Sequence, residues 1–179
     1  VVARFEGGEI LHCSLTPLAG CVQSTVAGKS SLNVKVKDST ADAGNGLQWK
    51  WQRGPAAALG DPVTADDYVF CLYADADGAA PLVAQTSAPA GGACGSQACW
   101  KPTGTGVKYA DRDRSPEGVE SVALGATPAG EGKIAVKARG VNLVPPGLPL
   151  ALPVKAQLQG EHGVCWETMF SAPGVQRNE

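Results

Sequence analysis

The sequence predicts an all-β fold, a disulfide-stabilised antiparallel β-sandwich of immunoglobulin-like or jelly-roll-like architecture with little helix. Three observations predict it. Short segments either alternate apolar and polar residues or run wholly apolar over about six positions, the signatures of half-buried and fully buried strands. Turn formers are dense, with 23 Gly and 13 Pro in 179 residues, which leaves little room for long helices. The six cysteines form an even set with no C-x-x-C pair, so they read as a disulfide framework and not as a metal site.

Residues 1–12 read as an extended N-terminal segment, in which V-V-A-R-F and I-L-H-C are split by Gly7 and Gly8. Leu32, Val34 and Val36 alternate with Asn33, Lys35 and Lys37, which predicts a strand with one wet face. Asn45-Gly46 closes the polar loop 38–46 with a hairpin signal. Leu47, Trp49 and Trp51 then share a face, opposite Gln48, Lys50 and Gln52. Tyr68 to Tyr73, Y-V-F-C-L-Y, is apolar at every position and bracketed by acidic turns, so it reads as a central strand covered on both faces. Its counterpart is G-V-C-W-E-T-M-F at 163–170.

The Gly- and Ala-rich passage 75–106 predicts no regular structure beyond a short strand near Leu82. Further strands are expected at 107–110, 119–124, 134–138 and 154–158. Between the last two, Pro145, Pro146, Pro149 and Pro153 forbid a helix and predict a covered, extended crossover. S-L-N-V-K-V-K before Y-V-F-C-L-Y, and K-I-A-V-K-A-R before V-C-W-E-T-M-F, form a weak internal echo.

At 18.2 kDa the chain is read as a single β-sandwich domain over 1–179, long enough to bury a core. A net charge of -2 and a pI near 5.7 give no global field favouring nucleic acid. No window of about 18 apolar residues predicts membrane insertion. Cysteine usage places the chain outside a reducing cytosol, secreted or at a cell surface. Proximity in sequence suggests local bridges Cys94–Cys99 and Cys13–Cys21, each closing a Gly-containing turn. Cys71 and Cys165 then remain as a long-range pair. Parity conflicts with that last pair, because alternation places Val164, Trp166 and Phe170 inward and Cys165 on the opposite face.

No catalytic motif is present, and a non-enzyme is expected. His12 and His162 are the only histidines, and neither has a nucleophile context. P-loop, dinucleotide and H-E-x-x-H patterns are missing. Asp75 with Asp77, and Asp111 with Asp113, place carboxylates at i and i+2 as calcium loops do, but without a distal Glu. Aspartate also favours such turns for local reasons. No cofactor is expected, with calcium as a weak candidate.

Carbohydrate binding is the sharper expectation, since sugar platforms use rigid aromatic rings beside hydrogen-bonding side chains. Trp49, Trp51 and Trp166 fall on apolar faces and read as core. Trp100 sits in a loop beside Cys99, which makes it the candidate platform, with Lys101, Tyr109 and Asp111 as neighbours and a polysaccharide or surface glycan as partner. Lys35, Lys37, Lys50, Lys133, Lys137 and Lys155 occupy outward strand positions, which reads as solubility and edge protection or as a basic surface for a polyanionic glycan. The rival expectation is a structural subunit of an extracellular fibre or surface assembly, its N-terminal segment pairing with a neighbouring copy's sheet edge.

Overall fold

A computed structural model describes residues 11–37, 44–56 and 58–172. Residues 1–10 of the expected N-terminal segment, and most of the polar loop 38–46, lie outside those described. Among the described residues thirteen strands form two packed sheets and a small hairpin. The first sheet contains β1 (Val22–Gln23), β4 (Tyr68–Tyr73), β5 (Leu82–Ala88), β12 (Val154–Gly160) and β13 (Cys165–Phe170), in the order β1-β13-β12-β4-β5. The second contains β2 (Ser31–Lys35), β3 (Gly46–Pro55), β8 (Trp100–Thr103), β9 (Gly106–Ala110), β10 (Val119–Ala126) and β11 (Glu131–Arg139), in the order β2-β3-β11-β10-β9-β8. β6 (Ala93–Cys94) and β7 (Gln97–Ala98) make the hairpin. The fold is thus the expected disulfide-stabilised β-sandwich. Its pairings are antiparallel except for β1 with β13, which run parallel.

Alternation builds the core. Leu47, Trp49 and Trp51 of β3 face inward with Ile134, Val136 and Ala138 of β11, directly across the ladder. They meet Tyr68, Phe70 and Leu72 of β4, Ala156 and Leu158 of β12, and Trp166 of β13. Trp49 stacks obliquely on Phe70 with ring centroids 5.5 Å apart. Gly54 and Gly132 are cross-strand partners, and a Cβ on either would collide with the Trp51 ring, so the glycine pair makes room for that indole. The echo of two halves has a structural counterpart. β2 and β11 both flank β3, while β4 and β13 both flank β12.

The central strand is buried at all six positions, as its composition predicts. The cover on its outer face is a strap, residues 11–21, lying across the first sheet. Leu11 and Cys13 pack there on Val69, Cys71 and Tyr73. Polar side chains complete the contact. The Leu18 amide donates to Gln157 Oε1 at 3.0 Å and Gln157 Nε2 returns a bond to Leu18 O at 2.8 Å. The Tyr73 hydroxyl donates to Ser14 O at 2.7 Å and accepts from Gln159 Nε2 at 3.0 Å. Gln157 and Gln159 are therefore buried beneath the strap instead of meeting water.

The bridges are Cys13–Cys71, Cys21–Cys165 and Cys94–Cys99, with no free cysteine. Only the last matches the expected pairing. Cys13–Cys21 and Cys71–Cys165 are corrected, and parity is the reason. Cys71 and Cys165 both lie on the outer face of the first sheet, on β4 and β13 with β12 between them. Each is bridged to the strap passing over it. Cys165 is thus buried on one side of β13 while Trp166 is buried on the other.

Candidate functional site

The expected aromatic platform is inside. Trp100 is 1% exposed and stands opposite Tyr109 in the β8–β9 ladder. Its ring lies 5.3 Å from that of Tyr109 and 5.9 Å from that of Tyr68, and its Nε1 donates to Pro89 O at 2.8 Å. The ring closes one side of the sandwich, under the Cys94–Cys99 hairpin. Passage 75–106 holds more structure than its composition signals, because β5 runs to seven residues and β8 follows the hairpin. Tyr109 is also buried, which pushes its phenol up to about 12, with the nearby Asp111 charge adding to the rise.

Asp111 is buried and acts as a turn cap. Its Oδ1 accepts the Asp113 amide at 2.9 Å and its Oδ2 the Ser115 amide at 3.0 Å. Asp75 and Asp77 lie in the β4–β5 turn, where the Asp75 carbonyl accepts from Gly78 at 2.9 Å and from Ala80 at 3.1 Å. Among the described residues no three His, Cys, Asp or Glu side chains gather as a metal group would. His12 lies 2.8 Å from Gln85 Nε2, and His162 lies 2.5 Å from Asp66 Oδ1.

The outer faces of the two sheets differ. The strap covers much of the first, while the second carries cations. Register decides which positions share that second face. Lys101 of β8 is the direct partner of Lys108 on β9, and Lys108 is followed across the sheet by Ala123, Ala135 and Lys50. The next row runs Ala110, Ser121, Lys137, Gln48. Lys133 and Arg139 lie on the same face of β11, and Lys35 on that of β2. Lys155, which the outward pattern groups with these, belongs to β12 of the other sheet. Like charges directly opposed in a ladder repel one another, so the Lys101–Lys108 pair is not explained by sheet stability.

Two carboxylates share this face and both are paired. Glu131 binds Arg53 at 2.9 Å. Glu120 contacts Lys137 at 3.0 Å and also Arg139. Partial burial pushes the Glu120 carboxyl up, but the Lys137 bond and the two positive charges outweigh it and hold the group below its ordinary value.

At one end of the face, turn 111–115 rises beside the strands and encloses a cleft of about 330 Å³. Lys108, Arg112, Arg114 and Arg139 line it with Asp111 and Glu120, above Ala110 and Ser121. The turn is anchored. The Arg114 carbonyl accepts from the Gly118 amide at 2.9 Å and from Asn142 Nδ2 at 3.0 Å. Glu117 clasps β5 through Gln85 at 2.8 Å and Ser87 at 2.9 Å. The Arg114 guanidinium lies over Gly140, where a Cβ would sit 3.6 Å from its Nε. A second cleft of about 250 Å³ lies on the other side of the turn, between Asp111 and the Cys94–Cys99 hairpin.

Of the four expected ligand residues, Lys101 stands on the basic face, Asp111 borders both clefts, Tyr109 borders the second and Trp100 is interior. Lys108, Arg112, Arg114 and Arg139 were not expected. For Lys108 the string T-G-T-G at 103–106 carries a signal, since a hairpin turning there sets Lys101 against Lys108, while the three arginines have no comparable one. Comparison with protein-family models, curated proteins and solved structures finds no match.

Proposed function

We propose that the protein is a non-catalytic binding module, secreted or displayed at a cell surface, whose six-stranded sheet holds an acidic polysaccharide on its open face. The observation that carries this reading is the register, which gathers lysines from five strands onto one side of a chain whose net charge is -2. Three disulfides support an oxidising compartment. Small residues at Ala110, Ala123 and Ala135 leave a shallow floor between the lysine side chains, suited to an extended polymer. The contact is electrostatic and not one of aromatic stacking, since Trp100 is buried.

Affinity electrophoresis tests the reading. Native gels containing polygalacturonate or a sulfated glycan should retard the protein at low salt, and a neutral glucan should not. Equal mobility in all gels would overturn it. A second reading, assembly by strand pairing between copies, draws on β2, whose outer edge has no strand partner among the described residues. Light scattering that shows growth with concentration would support that reading.

A further inference from the structure

We infer that the cleft beside turn 111–115 is a subsite for a carboxylated sugar ring, a uronate, at the end of the basic face. The inference deepens the glycan reading and rests on it. Charge balance inside the cleft is the first argument. Both oxygens of Asp111 are taken by backbone amides, and Glu120 is taken by Lys137 and Arg139. Lys108, Arg112 and Arg114 have no ion pair with any described residue, so the cleft holds uncompensated positive charge.

Shape is the second argument. Ser121 and Ala110 are directly paired across β10 and β9, so the floor is small while the long basic side chains stand as walls. A volume near 330 Å³ is at the lower end of ligand sites and admits one or two sugar rings, not a longer stretch. Arginine forks match a carboxylate with two parallel bonds. The mixed lining separates candidate ligands. A ring carrying a phosphate or more than one sulfate would set more negative charge against the Asp111 and Glu120 carboxylates than a uronate with its single charge, and the Ser121 hydroxyl is placed to meet a sugar hydroxyl.

The anchoring of the turn is the third argument. Asn142, Gly118 and Glu117 fix its backbone from three sides, and the Arg114 guanidinium lies beside Gly140, so the turn that carries the arginines is positioned in advance. Preorganisation of this kind reduces the ordering cost of binding.

Titration with trigalacturonate, followed by amide chemical shifts and calorimetry, tests the subsite, with maltotriose and a sulfated trisaccharide as the other arms. Trigalacturonate should shift amides within 108–121, maltotriose should not, and the sulfated sugar should bind more weakly. Arg112→Gln with Arg114→Gln should lower trigalacturonate affinity at least about tenfold, the scale of a lost charged hydrogen bond. Lys108→Gln, at an exposed strand position, should weaken it in the same direction should the double variant fold poorly. Lys133→Gln, at the far end of the face, should leave trimer affinity unchanged while reducing retention by the polymer. Retention by polygalacturonate with no trimer response, or with a trimer response indifferent to these arginines, would overturn the subsite alone. A preference for the sulfated sugar would overturn the carboxylate assignment. Loss of polymer retention altogether would overturn the reading of the face itself.

Discussion

Trp100 shows how far a single residue can be read from its neighbours in sequence. Its Gly- and Ala-rich surroundings lack periodicity, which places it in a loop, yet its ring lies between Tyr68 and Tyr109 and seals the sandwich. Trp100→Ala should therefore destabilise by about 3–5 kcal/mol, the same class of loss as Trp49→Ala. Denaturant unfolding of both variants checks this, and a near-neutral Trp100→Ala would return the ring to the surface. The three tyrosines give a pH prediction. Burial raises the phenols of Tyr68, Tyr73 and Tyr109, the last to about 12. Their neutral forms contribute stability in full below about pH 10, where an unfolded tyrosine ionises, and this is lost as pH climbs through the folded values. Absorbance at 295 nm should thus stay flat at pH 10 and rise only with cooperative unfolding above it. Glu120 acts in the opposite sense, because its carboxyl is held below the ordinary value. Its contribution is present at neutral pH and lost as pH falls through the folded value. Its charges are partly exposed, so Glu120→Gln should cost no more than about 1 kcal/mol.

Among the elements, the strap and the two strands beneath it show what was legible and what was not. The central strand read correctly as buried on both faces, since a strand of Y-V-F-C-L-Y has no side that tolerates water. The cover on its outer face was not readable. Beyond the extended I-L-H-C, residues 14–20 have no alternation and no strand signal, and only the two flanking cysteines show that they are tied down. Local distance favoured joining those cysteines to each other. The parity conflict at Cys165 was the one sign that the cysteine face of β13 needed a third element, and the strap is that element. Gln157 and Gln159 alternate with Ala156 and Leu158 along β12, and such alternation reports which side a residue faces, not whether that side is covered. The bridges can be ranked by the loops they close. Separations of 58, 144 and 5 residues correspond to about 4, 5 and 2 kcal/mol in the chain-entropy model. Non-reducing peptide maps should link Cys13 to Cys71 and Cys21 to Cys165. Cys21→Ser with Cys165→Ser should lower the melting temperature more than Cys94→Ser with Cys99→Ser, and the reverse order would show that the strap is held by its polar contacts.

For the whole molecule the decisive property is where charge sits, which composition hides. A net charge of -2 predicts no preference for polyanions, and that expectation holds only for charges spread evenly. The alternation of Lys50, Lys133 and Lys137 with core residues was visible in the sequence, but strand order was not, and only order decides whether they share a sheet. Adjacent strands lie about 4.8 Å apart and like-facing residues of one strand about 7 Å apart. Both spacings fall within the Debye length of about 8 Å at physiological ionic strength, so the cations act on a ligand as one field. Acidic residues in the loops offset that field in the net charge without neutralising it at the sheet. Reversing the sign of the cross-strand pair tests this. Lys101→Glu with Lys108→Glu should weaken polygalacturonate binding by at least about tenfold, near 1.4 kcal/mol. Lys29→Glu, in the turn before β2, changes net charge without entering the register of the face and should alter binding much less. Wild-type affinity should fall steeply as salt is raised, and the double variant should respond more weakly because less of its binding is electrostatic. A loss from Lys29→Glu of half or more of that from the double reversal, in proportion to its half-sized change in charge, would mean that net charge, and not the arrangement of the six-stranded face, governs recognition.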